Sequence, residues 1–219
     1  VSRAWIKPGE AWRSLPGRQR LSLAALAALL LLVQIDQPFP ETAWLHHLPT
    51  AGLLLASPWL LSRWPLSTAS LACIILFLAL HTIGGRYSYT VVPYDEVARA
   101  LTGQSISETF GWSRNHYDRL VHLSYGLLAV TPMREMLERN FGLMPRLALY
   151  FAVESVFAIS ALYEITEWLM TLIVAGPTAN AYNGQQGDIW DAQKDMALAG
   201  LGALAMLATG IWRFGWRRR

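Results

Sequence analysis

At 219 residues the chain is sized for one domain, and 53% hydrophobic residues with a mean hydropathy of +0.28 turn it toward lipid rather than water. The net charge of +3 is no nucleic-acid footprint, because the basic residues gather at the two ends while acids outnumber bases between them. The lone Cys73 excludes an intrachain disulfide and reads as a small core residue.

In chain order, residues 1–18 form a basic segment that is expected to lie in the cytoplasm. Arg18 and Arg20 precede the apolar run Leu21–Val33, which resembles a signal peptide until Gln34, Asp36, Pro38 and Pro40 follow without a small-x-small cleavage site. The run is therefore read as a retained span. Apolar segments long enough for a membrane helix, which needs roughly 20 residues, are predicted at about 19–35, 45–63, 66–85, 117–136, 147–175 and 190–212. His46 and His47 are expected in a solvated outer loop. Pro49 and Pro58 interrupt the second segment, a feature tolerated where neighbours satisfy the freed carbonyls. The connection 86–116 is long for a loop, with a short surface helix predicted over Tyr94–Leu101. Arg134, Glu135, Glu138 and Arg139 suggest a charged turn with helix-end pairs. Ala197–Gly202 is rich in small residues and suits close helix packing.

These segments define an all-α class, a polytopic helix bundle over residues 19–212 followed by a basic tail at 213–219. Topology follows from the basic residues. With the N-terminus inside, thirteen Arg and Lys fall on cytoplasmic segments and four on outer ones, Arg86, Arg99, Arg114 and Arg119. Both termini are then cytoplasmic.

This topology gathers eight polar residues at the outer leaflet: His81, Asp118, His122, Glu164, Glu167, Asp188, Asp191 and Asp195. Each costs several kcal/mol to withdraw from water unless it is paired, neutralised or bound to a metal. Asp118 and His122 are four apart, Glu164 and Glu167 three apart, and Asp188, Asp191 and Asp195 three and four apart, so each group shares a helix face. Mixed nitrogen and oxygen donors suit a divalent Zn, Mn or Fe. The candidate ligands are His81, Asp118, His122, Glu164, Asp191 and Asp195. Glu167 and Asp188 are candidate bases, and Arg86 and Arg114 candidate binders of a phosphate or carboxylate. A purely structural role is the competing reading. Asp118 and Asp188 would then cap helices, and Asp118–Arg119, Glu164–Arg114 and Asp195–Lys194 would be ion pairs.

The same residues carry a resemblance. His81-Thr-Ile-Gly84 with Tyr87-Ser-Tyr89 and Pro93, Arg114-Asn-His-Tyr-Asp-Arg-Leu-Val-His122, Tyr163-Glu-Ile-Thr-Glu-Trp168, and Gln186-Gly-Asp-Ile-Trp-Asp-Ala-Gln-Lys-Asp-Met196 resemble the YjdF-like bacterial inner-membrane proteins over about residues 20–212. This resemblance implies a multi-pass inner-membrane protein and no particular activity. A looser likeness in order and spacing, through Asp118-Arg-Leu-Val-His122, Glu164 and Asp188–Asp195, is to the VanZ-like membrane family, and implies a role near the envelope or its lipids.

Three function classes are compatible with this pattern. One is a metal-dependent hydrolase or transferase acting on a lipid or lipid-linked substrate. Another is a proton or divalent-ion transporter, although only Glu154 falls toward the opposite side. The third is a non-catalytic envelope protein with a structural polar core. Membrane lipids are the expected partners, nucleic acid is not, and the sequence is silent on oligomeric state.

Overall fold

A computed structural model describes residues 7–173 and 185–216, and every regular element among them is helical. In chain order these are α1 (Pro8–Ser14), α2 (Gly17–Leu32), α3 (Pro40–Arg63), α4 (Thr68–Arg86), α5 (Tyr94–Thr102), α6 (Ile106–Phe110), α7 (Tyr117–Phe141), α8 (Pro145–Ile173) and α9 (Asp191–Trp216). Two of them, α4 and α8, are long and apolar enough to cross a membrane by length and composition. Arg3 and Arg217–Arg219, counted for topology, lie outside the described residues.

The long helices form two triplets. In one, α7, α8 and α9 pack around Val130, Leu149, Ala152, Val153, Val156, Ala199 and Ala203. In the other, α2, α3 and α4 pack around Leu23, Leu61 and Leu71, with Leu15 from the end of α1. A seam between α4 and α7 joins them, topped by Tyr89, Val92, Tyr117 and Val121. No packed interface joins α3 to α8 among the described residues.

Small residues set the closest approaches. A Cβ on Gly126 of α7 would run into the Ala199 carbonyl of α9, and one on Gly202 would lie 2.6 Å from the Leu123 carbonyl oxygen. The Ala- and Gly-rich stretch of α9 thus lets two backbones touch. On the other side, a Cβ on Gly85 would lie 2.7 Å from His46 Cβ, which brings α4 against α3.

Helix α3 begins at Pro40, with Pro at its first position where no N–H is required, and runs through both internal prolines. Pro58 cannot bond the Leu54 carbonyl, and the Ser57 hydroxyl donates to that oxygen instead at 2.8 Å. Because α3 starts so early, His46 and His47 lie inside it, only 2% and 5% exposed, not in a solvated loop. Gln34 donates to His47 Nδ1 at 2.8 Å, and His47 Nε2 donates to the Thr82 carbonyl at 3.1 Å.

The charged residues near the end of α7 are helical, not a turn. Arg134 pairs with Glu138 and Arg139 with Glu135 one turn apart. Glu135 also accepts from the Ser67 N–H at 2.7 Å, the Ser67 hydroxyl at 2.6 Å and the Ser70 hydroxyl, so α7 caps the start of α4. The connection from α4 to α7 holds the expected surface helix, α5, and a second, α6. The Asp95 carboxyl there accepts from Ser107 N–H at 2.8 Å; despite the cost of desolvation, bonds to Ser107, Ser105 and Ile106 hold it below the ordinary carboxylate range.

Candidate functional site

The start of α7, the second half of α8 and the start of α9 bring their acids together at one end of the bundle. A turn over residues 185–190 aims α9. There Gln186 and Asn115 exchange two amide bonds, Asn115 N–H to Gln186 Oε1 and Gln186 Nε2 to Asn115 O, both at 3.0 Å. Gly187, at φ +83°, takes the left-handed conformation that this turn requires. Asp188 Oδ1 accepts from the Trp190 N–H at 3.1 Å just before the first turn of α9.

The cluster divides into a rim paired by Arg and Lys and a centre where His122 alone faces the acids. At the rim, Arg114 bonds Asp191 at 2.5 Å and lies 3.6 Å from Asp188. Arg119 bonds Asp188, and Lys194 bonds the same carboxylate at 2.6 Å. Lys194, the Trp190 N–H and Arg119 hold the Asp188 carboxyl down at about 2. Burial first, then the positive charge of Arg119 and Arg114, lowers the His116 imidazole, which stacks on Trp112 at 4.2 Å. Sequence neighbours are therefore not the partners here: Arg119 serves Asp188 rather than Asp118, and Lys194 serves Asp188 rather than Asp195. Adjacent helical side chains diverge by about 100°, so such pairs seldom meet.

The centre holds His122, Asp118, Asp195 and Glu164. His122 Nε2 is 3.5 Å from Asp118 Oδ1 and 3.7 Å from Glu164 Oε1. Donor atoms of Asp118, His122 and Asp195 all lie within 4.8 Å of one another. Asp195 is 2% exposed, and its Oδ1 has no hydrogen-bond partner among the described residues; Glu164 Oε1 is likewise buried and unpartnered. Bare carboxylate oxygens crowded in a dry site repel unless a cation or protons lie between them. A tetrahedral ion with bonds of about 2.1 Å needs donors roughly 3.4 Å apart, which small rotamer changes would supply. These residues fit a divalent ion.

The remaining candidates occupy other places. Asp118 does not cap α7: it is the second helical residue, and Asn115 Oδ1 accepts the Tyr117 N–H at 3.1 Å instead. Nor is Asp188 the residue from which α9 starts, since Asp191 opens that helix. His81 uses both ring nitrogens, accepting from the Tyr89 hydroxyl at 2.5 Å and donating to the His46 carbonyl at 3.0 Å. With both lone-pair positions engaged it is a wall residue rather than a ready ligand. Arg86 turns to the end of α2, donating to the Val33 carbonyl at 2.6 Å and the Ile35 carbonyl at 2.8 Å. Those orphan helix-end carbonyls, not an anion, are its partners. Glu167 lies one turn beyond Tyr163 on α8, within hydrogen-bonding reach of its hydroxyl.

Beside the centre is a cavity of about 230 Å³ between the two helix triplets. Asp118, His122 and His81 mark its polar end, and Leu53, Phe77, Leu78, Val121 and Ile159 line most of the rest. Two hydroxyl residues on its wall, Tyr125 and Ser160, escaped the sequence reading. Their spacing held the signal: Tyr125 follows His122 by three residues, and Ser160 precedes Glu164 by four, each on the acidic face of its helix.

A family model described as "Predicted membrane protein (DUF2238)" matches residues 18–215. The chain is also 35% identical over 190 residues to the inner membrane protein YjdF of Escherichia coli (strain K12), covering 84% of this chain and 85% of that protein. The likeness agrees with the inner-membrane location expected from the sequence. No solved structure matches.

Proposed function

The chain belongs to the DUF2238 family of predicted membrane proteins, and from that premise we propose that it is a multi-pass inner-membrane protein with a divalent-metal site used on lipid or lipid-linked substrates. In this reading α2, α3, α4, α7, α8 and α9 are the spans and both termini face the cytoplasm. The placement of thirteen basic residues against four supports that orientation. The acidic end of the bundle then lies at the outer leaflet. Asp118, His122 and Asp195 hold the ion, with Glu164 as a further oxygen donor. Glu167 would serve as the base, and a bound divalent ion would supply the lowering of a water pKa toward neutrality. Arg114, Arg119 and Lys194 keep Asp188 and Asp191 out of the coordination shell.

One observation carries this reading: Arg and Lys pair with the rim acids, while His122 alone faces the three central carboxylates and Asp195 Oδ1 and Glu164 Oε1 accept no hydrogen bond among the described residues. A structural core would have distributed its cations the other way, since an unpaired buried charge is strongly destabilising. The test is elemental analysis of purified protein. Stoichiometric metal in the wild type that is lost in Asp195→Asn and His122→Ala, with folding kept, supports the site. Folded wild-type protein that takes up no divalent ion, even when incubated with Zn, Mn or Fe, sinks it.

A further inference from the structure

The cavity beside the acidic centre has a mouth. Part of its lining is buried, with Thr50 at 2% and Val121 at 5% exposure, but Leu53 is 42% and Ile159 44% exposed. Leu53 is on α3 and Ile159 on α8, the pair of helices that share no packed interface. Both residues lie near the middle of their helices. A gap at that depth in a spanning bundle faces hydrocarbon, so acyl chains rather than water meet it.

The wall is mixed in character. Leu53, Phe77, Leu78, Val121 and Ile159 make much of the wall apolar. On the same wall the hydroxyl oxygens of Tyr125 and Ser160 are buried without a hydrogen-bond partner among the described residues, and Ser160 is 2% exposed. A serine in a membrane helix ordinarily bonds the carbonyl four residues back; this one does not. Two unpaired donors from facing helices invite a single acceptor. The acceptor is uncharged in kind, because no Lys or Arg lines the cavity to balance an anion.

We propose that the cavity admits the acyl chain of an ester lipid from the membrane, sideways between α3 and α8. The ester carbonyl accepts from Tyr125 and Ser160, which puts it beside Asp118 and His122. The inference rests on the spanning arrangement proposed above and deepens that reading of the substrate. Binding itself needs no metal.

The experiment uses the full chain in nanodiscs containing a phospholipid with a diazirine near the end of an ester-linked acyl chain. After irradiation, adducts are mapped by peptide mass spectrometry. Adducts should concentrate on Leu53, Phe77, Val121 and Ile159, beyond the labelling of outward residues such as Leu55 and Leu172. Adducts confined to Leu55, Leu172 and similar positions would overturn the proposal. Ser160→Ala combined with Tyr125→Phe removes only the two hydroxyls. It should reduce cavity adducts roughly tenfold, the worth of two buried hydrogen bonds, while leaving labelling by the ether-linked analogue unchanged. An equal loss with the ether lipid, or no loss with the ester, would overturn the carbonyl assignment. Metal content of the same samples separates the two readings. Cavity adducts in metal-free protein leave this inference standing and sink the metal site, whereas bound metal without cavity adducts does the reverse.

Discussion

Replacing Gly126 with Ala tests the packing that brings the acids together. Gly126 lies one turn beyond His122 on α7, and Ala199 one turn beyond Asp195 on α9, so their backbone contact fixes the approach of those side chains. A methyl at Gly126 would collide with the Ala199 carbonyl, and at the companion contact a Gly202 methyl would sit 2.6 Å from Leu123 O. Ordinary contact begins at about 3.4 Å, so the helices would have to part by about 0.8 Å at Gly202 and further at Gly126. Backbone cannot rotate aside as a side chain can, and overpacking of this kind costs roughly 1–3 kcal/mol. For about 2 kcal/mol in a chain of this size, the thermal midpoint should fall by roughly 4–8 °C. Thermal unfolding in detergent, followed by intrinsic Trp fluorescence, measures this. Gly52→Ala is the control, since nothing lies within 4 Å of the added methyl. Gly126→Ala should also weaken metal retention, because separation by even about 1 Å loosens a coordination site. A Gly126→Ala midpoint equal to the wild type, with Gly52→Ala also unchanged, would refute the claim that this contact sets the distance.

The rim predicts an acid response. Asp188 titrates near 2 when folded, below the ordinary 3.8, so its stabilisation is complete above the unfolded value and disappears as pH falls through the folded one. The stability gap between wild type and Asp188→Asn should therefore be constant near neutrality and close between about pH 4 and 2; a gap that widens on acidification contradicts the pairing. At the other end of the bundle, Glu135→Ala removes the acceptor for the Ser67 N–H and the Ser67 and Ser70 hydroxyls. It should cost about 2 kcal/mol in chemical denaturation, as lost hydrogen bonds to a charge do, and a neutral result would show that Ser67 alone caps α4. Arg86→Ala exposes the Val33 and Ile35 carbonyls without a donor. Amide exchange near the end of α2 should accelerate while that in α7–α9 stays slow, and uniform acceleration would argue against a local latch.

The six apolar segments could be read from hydropathy because length and composition are local properties. Their predicted limits fall within a few residues of the long helices, apart from the start of α3, five residues early at Pro40, and the end of α7, five residues late at Phe141. His46 and His47 fall just inside the predicted start near 45, and polar residues there, ahead of Pro49, resemble a loop until Pro40 is recognised as a first-turn proline. Helical spacing also identified the faces of Asp118 with His122 and of Asp191 with Asp195, since a shared face needs only the period of the helix. Partnership was not legible. Which acid Arg119 reaches depends on how α7 lies against α9, which Gly126 meeting Ala199 sets, and which acid Lys194 reaches depends on the turn before α9. The seven residues of α1 and five of α6 are too short to leave a periodic signal.

The division of charge between early and late helices also bears on biosynthesis. Arg114 and Arg119 emerge from the ribosome well before Asp188 and Asp191, the carboxylates that neutralise them. Until α9 arrives, the half-built protein holds the basic pair Arg114 and Arg119 without these carboxylates, a state that insertion machinery or a chaperone must shelter. Docking of α9 closes that interval, joining charge compensation to the completion of the fold.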